Sequence, residues 1–303
     1  MVHQYNSNSD KLLDTTLQRS NKTELFLISP SLVIFFFLCW KASWFWSNNP
    51  DLSFGWVVPI LCLFLFSESW EKRPNILCQL TTFTGATFFI GAAIIFLAHI
   101  YHAAMGMTTG SFIGLPIGTM LIIISNLHYV YGWPGVKHFA MPFGFILIAI
   151  PIPSIIINPI ISFLQKLVST IDVNILNLVG IPAIRTGSLI QLPNCIVGIN
   201  EACSGIRSLQ SAIMATLFIG SLILKRFWSK IILLICGIFF AIVGNIFRSL
   251  FLSITAYYKG TEALEKVHDT TGWSILLFVV LGVFLISWIL KKIEKIHYLE
   301  PNN

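Results

Sequence analysis

Long apolar runs, repeated along almost the whole chain, are the feature that most constrains this sequence. Of its 303 residues, 55% are hydrophobic and 11% are charged. A soluble globular domain has about a quarter of its residues charged. A helix needs roughly 20 mostly apolar residues to cross about 30 Å of hydrocarbon, and runs of this kind recur here. The sequence therefore predicts an all-α polytopic membrane protein and excludes a water-soluble globular domain.

We predict eight transmembrane helices separated by short polar or turn-rich segments. They cover about residues 25 to 46, 54 to 70, 81 to 101, 111 to 131, 139 to 157, 204 to 224, 231 to 257 and 273 to 291. The expected organisation is an N-terminal tail over 1–24, a membrane domain over 25–295 and a C-terminal tail over 296–303. The first tail lacks the small-residue cleavage site of a secretory signal, so we expect it to stay attached.

The segment between the fifth and sixth spans has a different character. Residues 158–180 place apolar side chains at helical spacing, which predicts a helix lying in the membrane interface. Its polar interruptions are Gln165, Lys166, Asp172 and Asn174. Residues 181–200 alternate apolar and polar side chains around Thr-Gly and Pro-Asn turn signals, which predicts a small extracytoplasmic hairpin.

Basic residues flank the apolar runs on one side, and this asymmetry predicts the orientation. With the N-terminus in the cytoplasm, the inside segments hold Lys11, Arg19, Lys22, Lys72, Arg73, Lys137, Lys225, Arg226, Lys230, Lys291, Lys292 and Lys295. The outside segments hold only Lys166, Arg185, Arg207, Lys259 and Lys266. Because cytoplasmic loops carry the excess of Lys and Arg, we expect both termini inside.

Three polar residues from separate segments are predicted to meet at the outer face. Cys203, in "NEACSGIRSLQS", lies where the hairpin enters the sixth span. Arg248 follows the inner end of the seventh span by seventeen residues, which corresponds to roughly 26 Å at about 1.5 Å per residue. His268 lies in the predicted outside loop "EKVHDTTGW". A thiolate is favoured near a helix N-terminus and a cation, and a histidine can transfer a proton, so this set is suited to covalent catalysis.

Four neighbouring residues are supporting candidates. Asn245 is three residues before Arg248, on the same helical face. Arg207 is four residues after Cys203, and we expect it one helical turn away, either sharing the oxyanion role or pairing with Glu201. Ser204 is expected to cap the sixth helix. Each residue taken alone also has an ordinary interpretation: an arginine snorkels to headgroups, and a lone cysteine at a helix end is structural.

The blocks "EACSGIRSLQS", "NIFRS" and "HDTTGW", in this order, resemble the exosortase and archaeosortase family of membrane cysteine transpeptidases. "GIPAIRTGSLIQLP" and "SFGWVVPI" extend the resemblance over most of the chain from about residue 40. The resemblance implies a catalytic set of Cys203, Arg248 and His268, and the histidine favours the bacterial branch, because archaeosortases commonly have an arginine there. One departure is Phe54-Gly55, where many members have His-Gly.

The resemblance also implies the reaction and the partners. The substrates would be secreted proteins with a tripartite C-terminal signal: a short motif such as Pro-Glu-Pro, a transmembrane helix and a basic tail. A thioester on Cys203 would pass to an unidentified amine acceptor, at the inner membrane of bacteria that often make extracellular polysaccharide. The lipid bilayer is a further partner, and we expect no cofactor, no metal and no nucleic acid.

Rival interpretations stay open at this point. A transporter or channel would use Arg248 in a permeation path, but it predicts polar residues through the depth of several helices. A non-enzymatic component of a polysaccharide export complex would leave Cys203 dispensable. A disulfide between Cys195 and Cys203 would block the nucleophile. His99 and His102 are the best zinc candidates, and "GLPIG" over 114–118 predicts close helix packing.

Overall fold

The computed structural model describes residues 2–198 and 205–299. The chain divides into two compact units, Met1–Pro153 and Ser154–Asn303. Within the described residues, eight helical segments are long and apolar enough to cross a membrane. They are Asn21–Asn48, Pro50–Trp70, Thr82–Met105, Thr109–Ala149, Ser154–Leu178, Ile206–Ile223, Phe227–Lys259 and Thr270–Ile296. This confirms the predicted all-α polytopic membrane protein, although two of the predicted spans are placed differently.

The first unit contains five α-helices and two short 3-10 helices. In chain order these are α1 (Val2–Asn48), a 3-10 helix (Pro50–Trp56), α2 (Val58–Trp70), α3 (Thr82–Met105), α4 (Thr109–Phe112), α5 (Gly114–Gly144) and a second 3-10 helix (Phe145–Ala149). Thr81 caps α3, since its hydroxyl accepts a hydrogen bond from the Thr84 amide. The indole of Trp46 donates to the Ala149 carbonyl at 2.8 Å, which joins the end of α1 to the end of the unit.

The predicted fourth and fifth spans are two helices that meet at Gly132, without the loop that we expected between them. Helix α5 runs through residues 132–138, where we expected a loop, and it kinks at Gly132, which has φ 66° and ψ −163°. Glycine adopts this conformation without steric cost, so the chain bends and resumes its helix at once. Pro151 and Pro153 then lie in a non-helical stretch before the next helix begins at Ser154.

The small residues of "GLPIG" contact α3, as predicted. A Cβ atom on Gly118 would lie 2.7 Å from the Gly91 carbonyl oxygen, and one on Gly114 would lie 2.9 Å from the Ala98 Cβ. The two backbones therefore approach too closely for any larger side chain. Helices in lipid associate mainly through this kind of close packing, so these glycines confirm the predicted helix contact.

The second unit contains four α-helices and a small sheet. Its elements are α6 (Ser154–Leu178), β1 (Ile184–Thr186), β2 (Leu189–Gln191), β3 (Ile196–Gly198), α7 (Ile206–Ile223), α8 (Phe227–Lys259) and α9 (Thr261–Leu299). The strands are antiparallel in the order β1-β2-β3, with Arg185 opposite Ile190 and Ile190 opposite Val197. Ile190 and Val197 are buried in a core cluster with residues of α6 and α8. A location of this sheet outside the bilayer stays a prediction.

One of the polar residues that interrupt the apolar pattern of α6 is buried in the structure. Lys166 and Asn174 are exposed, whereas Asp172 is completely buried between Val168 and Leu176 of the core cluster. Both carboxyl oxygens of Asp172 lack a hydrogen-bond partner among the described residues. The helical spacing explains the difference, because positions 168, 172 and 176 fall on one face and that face packs against α8.

Helices α7, α8 and α9 pack together around a second core cluster that includes Leu233, Ala241, Val279 and Val283. At one end of this bundle the Glu294 carboxylate accepts hydrogen bonds from the backbone amides of Lys225 and Arg226, each at 3.0 Å. These amides lie in the turn directly before α8 begins at Phe227. Glu294 therefore ties the turn between α7 and α8 to α9.

Candidate functional site

Cys203, Glu201 and Ser204 lie outside the described residues, so the site is built here from the residues around them. The first described residue after Cys203 is Gly205, the N-cap of α7, with φ 83° and ψ 5°. Ser204, the predicted cap, lies outside the described residues, and Gly205 stands at the N-cap position of the described helix. A left-handed residue before the first turn favours glycine, so the position itself explains the cap.

Gly205 packs directly against Asn245 of α8. A Cβ atom at Gly205 would lie 2.7 Å from both the Cγ and Nδ2 atoms of Asn245, closer than real Cβ atoms come. Asn245 is buried, with 3% of its surface exposed. The amide side chain of α8 therefore fixes the start of α7, two residues after Cys203 in the sequence. The contact with Gly205 gives a physical basis to the supporting role predicted for Asn245.

Arg248 lies one turn after Asn245 on α8 and is partly buried. Its Nη2 and Cζ atoms lie 3.8 and 4.0 Å from the position that a Cβ atom of Gly272 would occupy. Gly272 belongs to α9 and to the block "HDTTGW". The guanidinium therefore rests against the backbone of the block that contains His268. Helix α8 thus contacts the "CSG" block through Asn245 and the "HDTTGW" block through Arg248.

His268 is in a helix and not in a loop, so this part of the prediction is wrong. Helix α9 begins at Thr261, directly after Gly260, and "EALEKVHD" consists mostly of good helix formers. The His268 side chain lies outside what the structure describes, but its place on the helix is set. It precedes Gly272 by four residues and Ile275 by seven. Ile275 would lie 3.0 Å from a Cβ atom on Gly244, so this face of α9 packs against α8.

The predicted relation of Arg207 to Cys203 stays a prediction, because Cys203 lies outside the described residues. Helix α7 begins at Ile206, after the left-handed Gly205, so Arg207 lies in its first turn. The Arg207 side chain is exposed. Of the two arginines, Arg248 is the one held between helices.

A small cavity, with room for about one water molecule, lies beside Gly205 and Asn245. Apolar side chains from three helices complete its lining: Leu164, Val168, Leu209, Ala241 and Ile242. The surroundings of Gly205 and Asn245 are therefore closely packed and apolar.

Cys195, at the edge of the sheet, is a free and partly buried thiol, and burial raises its pKa. A thiol of this kind is less nucleophilic at neutral pH than one near a cation. No group of three or more His, Cys, Asp or Glu side chains that could hold a metal ion occurs among the described residues.

Two glycines, Gly205 and Gly272, were not among the predicted site residues, although both stand inside the blocks that were singled out. In the sequence, one glycine follows Cys203 by two residues and the other follows His268 by four. A glycine beside reactive residues indicates a close approach or a special backbone conformation. The packing of α7, α8 and α9 decides whether each glycine allows a close approach or a special backbone conformation, and which residue it approaches.

Gly205→Ala should destabilise the protein more than Gly→Ala at a left-handed glycine whose surroundings are open. The control is Gly180→Ala, since Gly180 has φ 85° and no atom would lie within 4 Å of its Cβ. A left-handed alanine costs about 1–2 kcal/mol at either site. At Gly205 the displacement of Asn245 adds about 1–3 kcal/mol. Thermal unfolding of both variants in detergent micelles measures the difference, and equal midpoints would refute the Asn245 contact.

Comparison with known families gives one match. The model of the transmembrane exosortase family matches residues 46–285, most of the chain and all the described site residues. Comparisons with curated proteins and with solved structures give no significant match.

Proposed function

Because the chain belongs to the transmembrane exosortase family, we propose that it is a cysteine transpeptidase that cuts the C-terminal sorting signal of secreted proteins. The proposed place is the outer face of the bacterial inner membrane. One observation carries the proposal most directly. Helix α8 contacts Gly205, two residues after Cys203, through Asn245, and it contacts Gly272, four residues after His268, through Arg248.

The proposed chemistry assigns one role to each of the three residues. The Cys203 thiolate attacks the carbonyl carbon of the scissile peptide bond, and the carbonyl oxygen becomes an oxyanion that Arg248 stabilises. The C–N bond then breaks, His268 gives a proton to the departing amine, and a thioester forms on Cys203. An amine acceptor attacks the thioester carbonyl, releases the thiol and forms a new amide.

The partial burial of Arg248 supports this assignment. An oxyanion is stabilised most by donors that are already fixed in place and shielded from water. Arg248 extends from α8 towards α9, with its guanidinium near the backbone at Gly272. Asn245, one turn earlier, holds the start of α7 and therefore acts as a positioning residue.

A reporter in membranes tests the proposed activity. The reporter is a secreted protein with an N-terminal tag and a C-terminal Pro-Glu-Pro motif, transmembrane helix and basic tail. Membranes that contain the protein should shorten it, and mass spectrometry should find the new C-terminus near the motif. Added hydroxylamine should capture the acyl group as a hydroxamate, because it is a strong nucleophile toward thioesters. Equal shortening in membranes without the protein would refute the proposal.

The proposed orientation predicts a pattern of labelling in intact cells. In a variant in which the native cysteines are replaced, a membrane-impermeant thiol reagent should label a cysteine introduced at Gly187 or Thr270. It should not label one introduced at Lys72 or Lys292, because those positions flank the spans on the cytoplasmic side. Permeabilised cells are the control, in which all four positions should react. Labelling of the Lys292 position in intact cells would overturn the orientation and the periplasmic site.

A further inference from the structure

A small, partly open cavity in the first unit is lined by one lysine and two histidines. Lys41 comes from α1, and His99 and His102 come from α3. The rest of its described lining is Ala98, Met107, Ser111, Phe112 and Leu115, so no acidic side chain takes part. Three basic side chains therefore share one cavity. None of the described residues that line it is acidic.

The basic groups have unused hydrogen-bonding capacity. The Lys41 ammonium lies 4.8 Å from the Trp40 ring centroid and 5.8 Å from that of Phe37, and it forms no hydrogen bond or ion pair with a described residue. The His102 side chain likewise forms none within the described part of the chain. His99 donates from Nδ1 to the Ile95 carbonyl at 3.0 Å, which leaves Nε2 for a ligand.

This arrangement favours an anion over a metal ion. The sequence marked His99 and His102 as zinc candidates, but zinc needs at least three protein ligands and the described residues supply two. The third group here is an ammonium, which repels a cation and donates hydrogen bonds only. An anion with several oxygen atoms would instead accept hydrogen bonds from the Lys41 ammonium and from a ring N–H of His102. Charge-assisted hydrogen bonds of this kind are about twice as strong as neutral ones.

The position of the cavity indicates where the anion comes from. Lys41 lies seven residues before the end of α1 at Asn48, and His102 lies three before the end of α3 at Met105. At about 1.5 Å per residue these distances are roughly 10 Å and 5 Å. Trp40 and Tyr101 beside them are 67% and 51% exposed. Exposed Trp and Tyr residues near helix ends are typical of the membrane interface, where lipid phosphates lie.

We propose that the cavity formed by Lys41, His99 and His102 binds a phosphate group at the membrane surface, as carried by an anionic phospholipid headgroup. This site does not depend on the proposed transpeptidase activity. The Lys41 ammonium supplies a fixed charge, and the His102 imidazole supplies an N–H donor beside it. The aromatic side chains around the opening contact the acyl region of the same lipid.

Lipid retention by the purified full-length protein tests this site. Native mass spectrometry after incubation with phosphatidylglycerol in a phosphatidylcholine background should show one tightly retained phosphatidylglycerol. The double variant Lys41→Gln/His102→Gln should lower that affinity about tenfold or more, as expected for lost charged hydrogen bonds. Lys41→Arg keeps the charge and should retain the lipid. Titration with inorganic phosphate distinguishes the source, since a phospholipid site binds the free ion far more weakly than the lipid.

The matched control is Lys292→Gln. Lys292 also lies over an indole, with its ammonium 5.6 Å from the Trp288 ring centroid, but it is not part of the cavity lining. If this variant and the double variant lose the lipid to the same extent, or if neither loses it, the cavity is not the binding site. Tight binding of inorganic phosphate without lipid would support the phosphate chemistry and overturn the lipid as its source.

Discussion

Cys203→Ala and Cys203→Ser should each abolish processing of the reporter while the protein still accumulates in the membrane. The thiolate is the only group in the proposed reaction that forms a covalent bond to the substrate, and neither alanine nor serine replaces it. The expected loss is about 10³-fold or more, as for other enzymes without their nucleophile. Immunoblots of membranes measure processing and protein level in the same samples, and mass spectrometry should find no acyl group on the variant.

The other cysteines provide the controls for this experiment. Cys236 is in α8, the helix that also holds Asn245 and Arg248, so Cys236→Ala tests a thiol close in the fold but outside the proposed chemistry. Cys78 is exposed between α2 and α3. Both alanine variants should process the reporter nearly as fast as the wild type, as should variants of the buried Cys39 and Cys62. A fully active Cys203→Ala protein would exclude the covalent mechanism and favour a non-enzymatic role.

Arg248→Lys should lose about 10²-fold in rate, although the side chain keeps its positive charge. An oxyanion donor acts through geometry as well as charge, and lysine lacks the planar fork of the guanidinium. Arg207→Lys is the matched control, because Arg207 is exposed on α7. That variant should keep most of its activity.

His268→Ala should be nearly inactive as well, but its behaviour with pH separates it from Arg248. A proton-transfer role ties the wild-type rate to the protonation of a histidine, so the rate should change between pH 5 and 9. The Arg248→Lys variant should keep that pH profile at a lower rate, whereas the residual rate of His268→Ala should lose it. A wild-type rate in Arg248→Lys would move the oxyanion role to Arg207 or to backbone amides at the start of α7.

The sequence predicted the membrane class, a close helix contact at "GLPIG" and the common helix of Asn245 and Arg248, because each depends on local spacing. Apolar run length decides which segments cross lipid, and small residues four apart indicate close helix contact. The family resemblance, which needs no structure, was confirmed by the family match over residues 46–285.

The errors have a different physical origin. The kink at Gly132 and the left-handed Gly205 are backbone conformations that glycine permits but does not require, so the sequence left them open. The burial of Asp172 depends on which face of α6 packs against α8, which is a tertiary property. His268 was placed in a loop because polar residues precede the last apolar run, yet a polar segment of good helix formers simply extends the helix.

Because α9 is one continuous helix, the number of residues along it sets the distance of His268 from the membrane-spanning part. The helix has 39 residues, or about 58 Å at 1.5 Å each, whereas the hydrocarbon of a bilayer is about 30 Å thick. The apolar part begins at Thr270, and His268 lies on the same helix two residues before it. In the proposed reaction, the height of the proton donor above the lipid is therefore set by counting residues along one helix. A substrate would have to carry its scissile bond at a matching number of residues from its own membrane anchor, whatever the sequence between them.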